Sequence, residues 1–434
     1  MFNLRVKTPI WTGNIDTKSD ILQSTNIMGS IRWWFEAIIR GLDKYACDPT
    51  GYGRCPREGK DRGEKYYCPV CIVFGATGMR RMFKLIVDGG EKVFGGSSIN
   101  IKPSGRNRGW YLGSGIKGEM KMNIIALDKD FDKSLILTPL IIASKWGGIG
   151  AKIQHGYGVV EIENFPEINF NEFTDAVEKI TEERPSKLGI ILRHENDNGL
   201  PNLKEMFFAK VQFKVTNDNW WKSVDGLGAC ANDQRMIEWI SSGSVPIAPA
   251  IKNWLRYGNG RELWENNNKN QDKGIENFLF GTTNRVCHSC YGKVQKDRDN
   301  PQNFWCPNCR KSIKKEETFE KIASKINISC AYRVGENLWE FKIWGWIPKN
   351  DLPAEFDRDS FLDNFKQSLT GNDIKQTSTD SGSISIPWNN LLGNQTKNHE
   401  LKVWREFDSL RDTVKPNENN IKNYLQSLLK GEGG

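Results

Sequence analysis

The chain has 434 residues, of which 38% are hydrophobic and 26% charged, so it is long enough for two or three globular domains. A run of about 18 apolar residues, the length that spans a bilayer, does not occur, which argues against a membrane partner. Residues 1–7 alternate polar and apolar side chains and lack the apolar stretch of a signal peptide, so we expect a cytoplasmic protein.

The net charge of +8 is concentrated in the first part of the chain. Residues 1–165 hold 24 Lys and Arg against 16 Asp and Glu, whereas residues 166–434 hold 37 of each. A segregated basic surface suits a polyanion, because affinity for phosphates comes largely from counterion release. The alternative is a solvated basic face that has no partner.

The first predicted elements are a strand over residues 2–11 and a helix that begins at Thr25 or Asn26 and ends at Gly41. Apolar side chains at positions 27, 31, 34, 35, 38 and 39 have the spacing of a helix with one buried face. Arg32 lies off this stripe, near the N-terminus of the helix, so we expect it to point away from the core.

Further strands are predicted at residues 83–87, 120–127 and 159–162, with a second helix at 135–146. The order of elements is βαββαβ, which predicts a ferredoxin-like (RRM-like) domain over residues 1–165. Residues 47–71 interrupt it as a cysteine-rich insertion.

A glycine-rich loop, residues 147–158, follows the second helix and contains five glycines. Glycine allows positive φ and close approach of the backbone to a ligand. Because the loop follows a helix instead of opening one, it is neither a dinucleotide fingerprint nor a P-loop. Its Lys152, Gln154, His155 and Tyr157 suit single-stranded nucleic acid through charge, hydrogen bonds and stacking. A plain flexible hairpin is the alternative.

Residues 249–258 repeat the pattern of the first helix, with Lys252 at the position of Arg32. An aliphatic-Phe-Gly-x-Thr turn also occurs twice, at residues 73–77 and 279–283. We therefore predict a divergent internal duplication. The second ferredoxin-like domain spans residues 200–350, and a helical C-terminal part, residues 351–434, completes it. The fold class is α+β.

Eight of the ten cysteines form two groups with the spacing of metal ligands. Two CxxC pairs 15 residues apart predict a zinc ribbon over residues 285–312, in which four thiolates close a tetrahedral shell. A looser group lies in the insertion at 47–71 and also favours structural zinc. The predicted ligands are Cys47, Cys55, Cys68 and Cys71 for one ion, and Cys287, Cys290, Cys306 and Cys309 for the other.

Several motifs carry a family resemblance: T-P-x-x-T-G at 8–13, G-x-x-R-W-W-F at 29–35, C-P-V-C-I-V-F-G at 68–75, and the glycine-rich loop. This set resembles the RAMP superfamily of CRISPR proteins and, in detail, the first-numbered RAMP subunits of Cmr (type III-B) effector complexes. The resemblance covers residues 1–165 and, more weakly, 205–350. It implies two ferredoxin-like RAMP domains, a position near the 3′ end of the guide RNA (crRNA), and a role in antiviral defence. The implied partners are guide RNA, target RNA and other Cmr subunits.

The basic and aromatic residues of the first half supply the predicted RNA contacts. They are Lys18, Arg32, Arg80, Arg81, Lys84, Arg106, Arg108, Lys145, Lys152, Gln154, His155 and Tyr157. Five of them, Arg32, Arg80, Arg81, Lys145 and Lys152, are expected on one face, with the glycine-rich loop running across it.

Three alternatives to a non-catalytic RNA-binding subunit remain. A guide-processing endoribonuclease needs a general base, commonly a histidine in or near the first helix. The histidines are His155, His194, His288 and His399, and none lies in that helix. Target cleavage would need a loop carboxylate, for which Asp16 and Asp20 are candidates. The third alternative is an assembly scaffold without RNA. We predict that the protein is not an enzyme.

Overall fold

The computed structural model describes residues 2–431 except 17, 52, 59–63, 164–169, 183–187, 191–198, 267–268, 299 and 371–383. Within these residues the α-helices are α1 (Ser24–Gly41), α2 (Pro69–Phe74), α3 (Ser134–Trp146), α4 (Phe170–Glu182), α5 (Gln234–Ser241), α6 (Ala248–Tyr257), α7 (Lys269–Phe280), α8 (Arg358–Leu369), α9 (Trp388–Leu392) and α10 (Ile421–Lys430). The strands are β1 (Phe2–Val6), β2 (Arg57–Glu58), β3 (Lys65–Tyr67), β4 (Phe83–Lys92), β5 (Ile99–Ile101), β6 (Trp110–Leu112), β7 (Ile116–Ala126), β8 (Val160–Glu163), β9 (Leu188–Ile190), β10 (Met206–Val215), β11 (Ser244–Val245), β12 (Val286–Cys287), β13 (Gln295–Lys296), β14 (Phe304–Cys306), β15 (Lys311–Ile313), β16 (Thr318–Phe319), β17 (Ile326–Ile328), β18 (Ala331–Arg333), β19 (Leu338–Trp346) and β20 (Thr396–Glu406).

The first half is built on a four-stranded antiparallel sheet in the order β4-β7-β1-β8. Leu4 of the central strand β1 faces Met120 of β7 on one side and Ile162 of β8 on the other. Helix α1 connects β1 to β4, and α3 connects β7 to β8. The helices pack against each other and bury the apolar stripe of α1, including Trp34 and Phe35.

The second half repeats this arrangement. Its six-stranded sheet has the order β11-β18-β19-β10-β20, with β17 also paired to β19, and every pairing is antiparallel. In chain order β10, β18, β19 and β20 are the first to fourth main strands, as β1, β4, β7 and β8 are in the first half. Both sheets then have the spatial order second, third, first, fourth, which is the topology expected of a duplication.

The C-terminal region differs from the sequence prediction in two ways. It contains β20, an eleven-residue strand beside β10, in addition to helices. The first seven residues of β20 are mostly polar and belong to an edge strand, so they lack a clear apolar alternation. The last helix, α10, packs on α3 in the first half, where Trp146 Nε1 donates to Leu428 O at 2.9 Å.

The two halves meet through one face of the second sheet. Phe208 of β10 stacks on Trp34 with ring centroids 6.2 Å apart and contacts Trp146 at 6.1 Å. The other face of β10 carries Phe207, Val211 and Phe213 into a separate core. The mixed α/β architecture with antiparallel sheets is therefore as predicted. In the part of the chain that is described, no helix is both long and apolar enough to cross a membrane.

Candidate nucleic-acid interface and metal sites

A cleft of about 1000 Å³ lies between the two halves. Its walls are formed by β8, α3 and α10 from one side and by β10, β18 and β19 from the other. We call it the lysine cleft, because five lysines line it: Lys7, Lys145, Lys210, Lys342 and Lys430. Two carboxylates, Glu161 and Glu340, are also part of the lining.

Two of these lysines are a cross-strand pair. Lys210 of β10 lies directly opposite Lys342 of β19 in the sheet. Lys342 is 4% exposed, and its Nζ donates to Ser144 O on α3. Lys210 Nζ lies 4.9 Å from the ring centroid of Trp146. Like charges directly opposite in a sheet repel each other, and here Ser144 O and the Trp146 ring are among the groups that contact the two ammonium groups.

The acidic groups of the cleft are already engaged by protein donors. Glu340 accepts hydrogen bonds from Tyr332 Oη at 2.5 Å and from Gln212 Nε2 at 2.8 Å. Glu161 pairs with Lys7 at 3.6 Å. Lys145, the one predicted RNA contact in this cleft, donates to Leu429 O near the end of α10.

Arg32 does not point away from the core as predicted. Its Nε pairs with Glu36 at 2.9 Å, Nη1 donates to Gly75 O at 3.2 Å, and Nη2 donates to Cys71 Sγ at 3.3 Å. Burial raises the pKa of Glu36, and the Arg32 guanidinium opposes that rise. Desolvation acts to lower the pKa of Arg32, but the hydrogen bond to Glu36 raises it overall. Arg32 therefore ties α1 to the first cysteine group.

The other basic residues predicted to contact RNA lie in different parts of the protein. Arg81 Nη1 lies 3.5 Å from Met28 Sδ on α1, and Arg80 beside it is exposed. Lys18 and Lys84 are exposed, the latter on β4. Arg106 stacks over the ring of Tyr257 at 3.8 Å, and Arg108 is exposed in the same loop. Lys152 lies 4.0 Å from the ring centroid of Trp11. Arg32, Arg81, Lys145 and Lys152 thus make four separate contacts with different parts of the protein.

The glycine-rich loop is packed between the halves. Ile149 N–H donates to Gly158 O at 2.8 Å, and Gly158 N–H donates to Pro9 O at 3.0 Å. Gly156 O accepts from Cys330 N–H of the second half at 2.9 Å. A Cβ on Gly156 would lie 2.7 Å from Cys330 N and Sγ. Here the glycines permit close contact with protein backbone.

Tyr157 and His155 in this loop are more buried than the sequence suggests. Tyr157 is fully buried, its Oη donates to Gly113 O, and its ring packs edge-on against Trp239. It is not available to stack on a base, which corrects the prediction. Burial, then the charges of Lys252 and Lys152, lower the pKa of His155 to about 4, so this ring is neutral near pH 7. Gln154 is half-buried beside it.

Both predicted cysteine groups are assembled. In each group, all four sulfurs lie within 4.8 Å of one another. The four ligands of a tetrahedral zinc–thiolate site, with Zn–S of about 2.3 Å, are separated by about 3.8 Å. Cys47 and Cys71 sulfurs are 3.5 Å apart, and the Cys290–Cys306 pair has the same separation. Each group can therefore hold one metal ion.

Hydrogen bonds to sulfur support the assignment of both cysteine groups as metal sites. Cys68 N–H donates to Cys55 Sγ at 3.2 Å, and Cys309 N–H donates to Cys306 Sγ at 3.4 Å. Hydrogen bonds among the four sulfurs of the first group lower the pKa of Cys47 and Cys68 and raise the pKa of Cys55 and Cys71. The second group has only a small core of its own, with Val294, Phe304 and Ile313.

The candidate catalytic residues are placed as follows. Asp20 pairs with exposed Lys92, and Asp16 is exposed in the same loop. His288 packs on Phe319, and His399 stacks on Trp388. His194 lies outside the described residues.

Four cleft lysines were not predicted: Lys7, Lys210, Lys342 and Lys430. One signal was available, because Lys210 interrupts the apolar run M-F-F-A-K-V-Q-F in β10. Because lysine is rarely buried unless it is paired, a lysine inside an apolar strand marks an unusual position.

Comparison with known proteins finds a family similarity in the first half. Residues 3–161, the segment that contains the four-stranded sheet and the glycine-rich loop, match the RAMP superfamily. No match was found among curated proteins.

Solved structures similar to the chain include Cmr1 from Pyrococcus furiosus in its apo form. It is 13% identical, covers 81% of this chain and 88% of its own, and has a TM-score of 0.36. Two chains from type III-B Cmr-beta structures each cover 83% of this chain and 96% of their own, with TM-scores of 0.38. One, 13% identical, comes from a structure bound to cognate target RNA. The other, 11% identical, comes from a structure bound to cognate target RNA and AMPPnP in the presence of ssDNA.

Proposed function

We propose that the chain is a non-catalytic RNA-binding subunit of a type III-B CRISPR (Cmr) effector complex, and that RNA phosphates bind in the lysine cleft. The Lys210–Lys342 pair is the observation that carries this proposal. The match of residues 3–161 to the RAMP superfamily and the motifs at 8–13 and 29–35 support the choice of complex.

The cleft suits a phosphate backbone for a physical reason. Lys342 is buried and Lys210 is half-buried, and their ammonium groups repel each other, so a phosphate bound between them would reduce this repulsion. Contacts of lysine to phosphate fix position without reading bases, so we expect slight sequence preference at this cleft. Its partners would be guide and target RNA near the guide 3′ end, with other Cmr subunits around it.

Each half is proposed to be a ferredoxin-like RAMP domain. The support is the shared strand order of the two sheets and the position of α1 and α3 between strands of the first. For the second half, the corresponding crossovers contain α6 and α8.

The two cysteine groups are proposed to hold structural zinc. Four cysteine sulfurs within 4.8 Å suit a closed tetrahedral thiolate site, the donor set that zinc prefers. A closed shell leaves no position for a substrate, so the ions would stabilise the fold and take no part in a reaction.

Binding of a fluorescent single-stranded RNA by the purified chain, measured by anisotropy over a range of salt concentrations, tests the proposal. If about four phosphates are neutralised, the log–log slope should be roughly −3. Binding that is absent at low salt would contradict the RNA role and favour the assembly scaffold.

Catalysis is tested in the reconstituted complex. Asp16→Ala, Asp20→Ala and His155→Ala should leave cleavage of guide and target RNA unchanged. A loss of roughly a hundredfold at one position, the scale of removing an acid–base group, would make the protein an endoribonuclease.

A further inference from the structure

A second cavity, of about 420 Å³, opens between α1 and the second sheet. We call it the aromatic pocket, because five of its lining residues are Trp33, Tyr291, Phe319, Trp344 and Trp346. Lys342, Trp344 and Trp346 alternate along β19 and so share one face of the sheet. The aromatic pocket therefore lies on the same face as the lysine cleft, further along the strand.

Asn327 gives this pocket a polar group that the protein does not use. Its side chain lines the cavity and is 8% exposed, on β17 opposite Trp344. Among the described residues, no side chain or backbone group forms a hydrogen bond with its carboxamide. Buried amides are nearly always paired, because leaving one unpaired costs free energy. The donor and acceptor of Asn327 are accessible in the cavity, where a ligand with a complementary polar edge can replace water.

Lys325 adds a positive charge. Its Nζ lies 3.9 Å from the ring centroid of Trp346 and 4.8 Å from that of Phe278. Within the described chain no carboxylate forms an ion pair with it. Burial lowers the pKa of Lys325 to about 8, and the charge of Glu205 opposes this, so the amine is mainly protonated near pH 7.

We infer that the aromatic pocket binds a nucleotide, with the base among the aromatic rings and against Asn327, and the phosphate at Lys325. Aromatic side chains bind bases by stacking, and an asparagine amide can pair with N6 and N7 of adenine. The volume is within the range of small-ligand sites. This inference rests on the proposed function and deepens it, since it gives the RNA-binding subunit a site for one unstacked base.

The bound nucleotide could be free or part of RNA. For the free nucleotide, calorimetry with the full chain separates the contributions of the base and the phosphate. AMP, adenosine and ribose 5-phosphate serve as probes, and AMP should bind at least tenfold more tightly than ribose 5-phosphate. Asn327→Leu should weaken AMP and adenosine alike by about tenfold. Lys325→Met should weaken AMP by about tenfold and leave adenosine unchanged. Lys402→Met, an exposed lysine on β20, is the matched control and should change neither.

Single-stranded RNA that contains 2-aminopurine tests the second source. If the pocket takes a base of bound RNA, the fluorescence of 2-aminopurine should change on binding, and AMP should reverse the change. Equal affinity for AMP and ribose 5-phosphate, together with no change in fluorescence, would overturn the inference even if the variants failed to fold. Salt-dependent RNA binding that persists in that case would leave the proposed function intact. AMP binding without any RNA binding would overturn the proposed function, but the inference that the aromatic pocket binds a nucleotide would stand.

Discussion

Lys210 on β10 lies directly opposite Lys342 on β19, and both side chains line the cleft between the two halves. A sheet that places two lysines in this relationship loses stability unless an anion or a fixed acceptor compensates. Ser144 O accepts from Lys342, and the Trp146 ring lies under Lys210. Both partners belong to α3, so the same helix supports the pair and forms the opposite wall of the cleft.

We expect the variant Lys210→Met with Lys342→Met to bind all RNA sequences more weakly. Each lost phosphate contact reduces the log–log salt slope for a single strand by about 0.7, so the slope should become shallower by about 1.4. Anisotropy at several salt concentrations measures it. The control is Lys314→Met with Lys315→Met, two exposed lysines outside the cleft. Equal weakening by the control pair would show that the cleft is not the RNA site.

Arg32→Met should destabilise the protein without changing its RNA salt slope. The substitution leaves the Glu36 carboxylate, 7% exposed, without its closest cation, and removes a donor to Cys71. We expect a loss of about 3 kcal/mol in the free energy of unfolding, measured in urea. Adding Glu36→Gln should recover part of it, and exposed Arg80→Met should cost less than about 0.5 kcal/mol. A shallower salt slope with unchanged stability would instead show that Arg32 contacts RNA.

Elemental analysis should find about two zinc ions per chain. Cys306→Ser with Cys309→Ser should remove one of them and increase amide exchange mainly in residues 285–312, because that segment has a small core of its own. Cys68→Ser should instead lower the stability of the whole first half, because its sulfur belongs to the main core. Metal-free protein with unchanged exchange in both regions would contradict both zinc sites.

His155 should contribute to acid sensitivity. Its pKa is lowered to about 4 in the folded protein and is about 6.5 when unfolded, so only the unfolded state gains a proton between these values. Stability therefore falls as pH drops from 6.5 to 4, by at most about 3 kcal/mol, and His155→Phe should remove that fall. Lys252→Met should remove part of the fall, because the charge of Lys252 contributes to the lowered pKa of His155. Burial lowers the pKa of Lys252 to about 7, so the effect of its own titration lies between pH 7 and 10.5.

The order of strands and helices along the first half could be predicted, and so could both cysteine groups, because the signals are local. The stripe of α1 and the CxxC spacing depend on neighbouring residues only. The position of α10 could not be predicted in the same way. The sequence shows that this helix has an apolar face, with Tyr424 and Leu428, but not which helix it packs on. The structure shows that it packs on α3.

The candidate site was predicted less well for a related reason. Basic residues were assigned to the RNA site because they were numerous in the first half, but the lysine cleft takes two of its five lysines from the second sheet. The opposition of Lys210 and Lys342 depends on the register between β10 and β19, which one sequence does not contain. Arg32 and Tyr157 were misplaced because each has a polar tip that pairs inside the protein.

The role of the glycine-rich loop can be tested with Gly158→Ala. Gly29→Ala, on α1 and outside the loop, is the control. Gly158 has a φ of +90°, and a Cβ there would lie 2.1 Å from Ile149 O, so Gly158→Ala should lower the free energy of unfolding by about 3 kcal/mol or more. Gly29→Ala lies on an exposed position of α1 with open space around it, and should stabilise by about 0.5–1 kcal/mol. Thermal and urea unfolding measure both. If the loop joins the halves as the Gly156–Cys330 hydrogen bond indicates, folded Gly158→Ala protein at low temperature should keep most of its RNA affinity. Lost affinity with unchanged stability would show that the loop amides bind RNA directly.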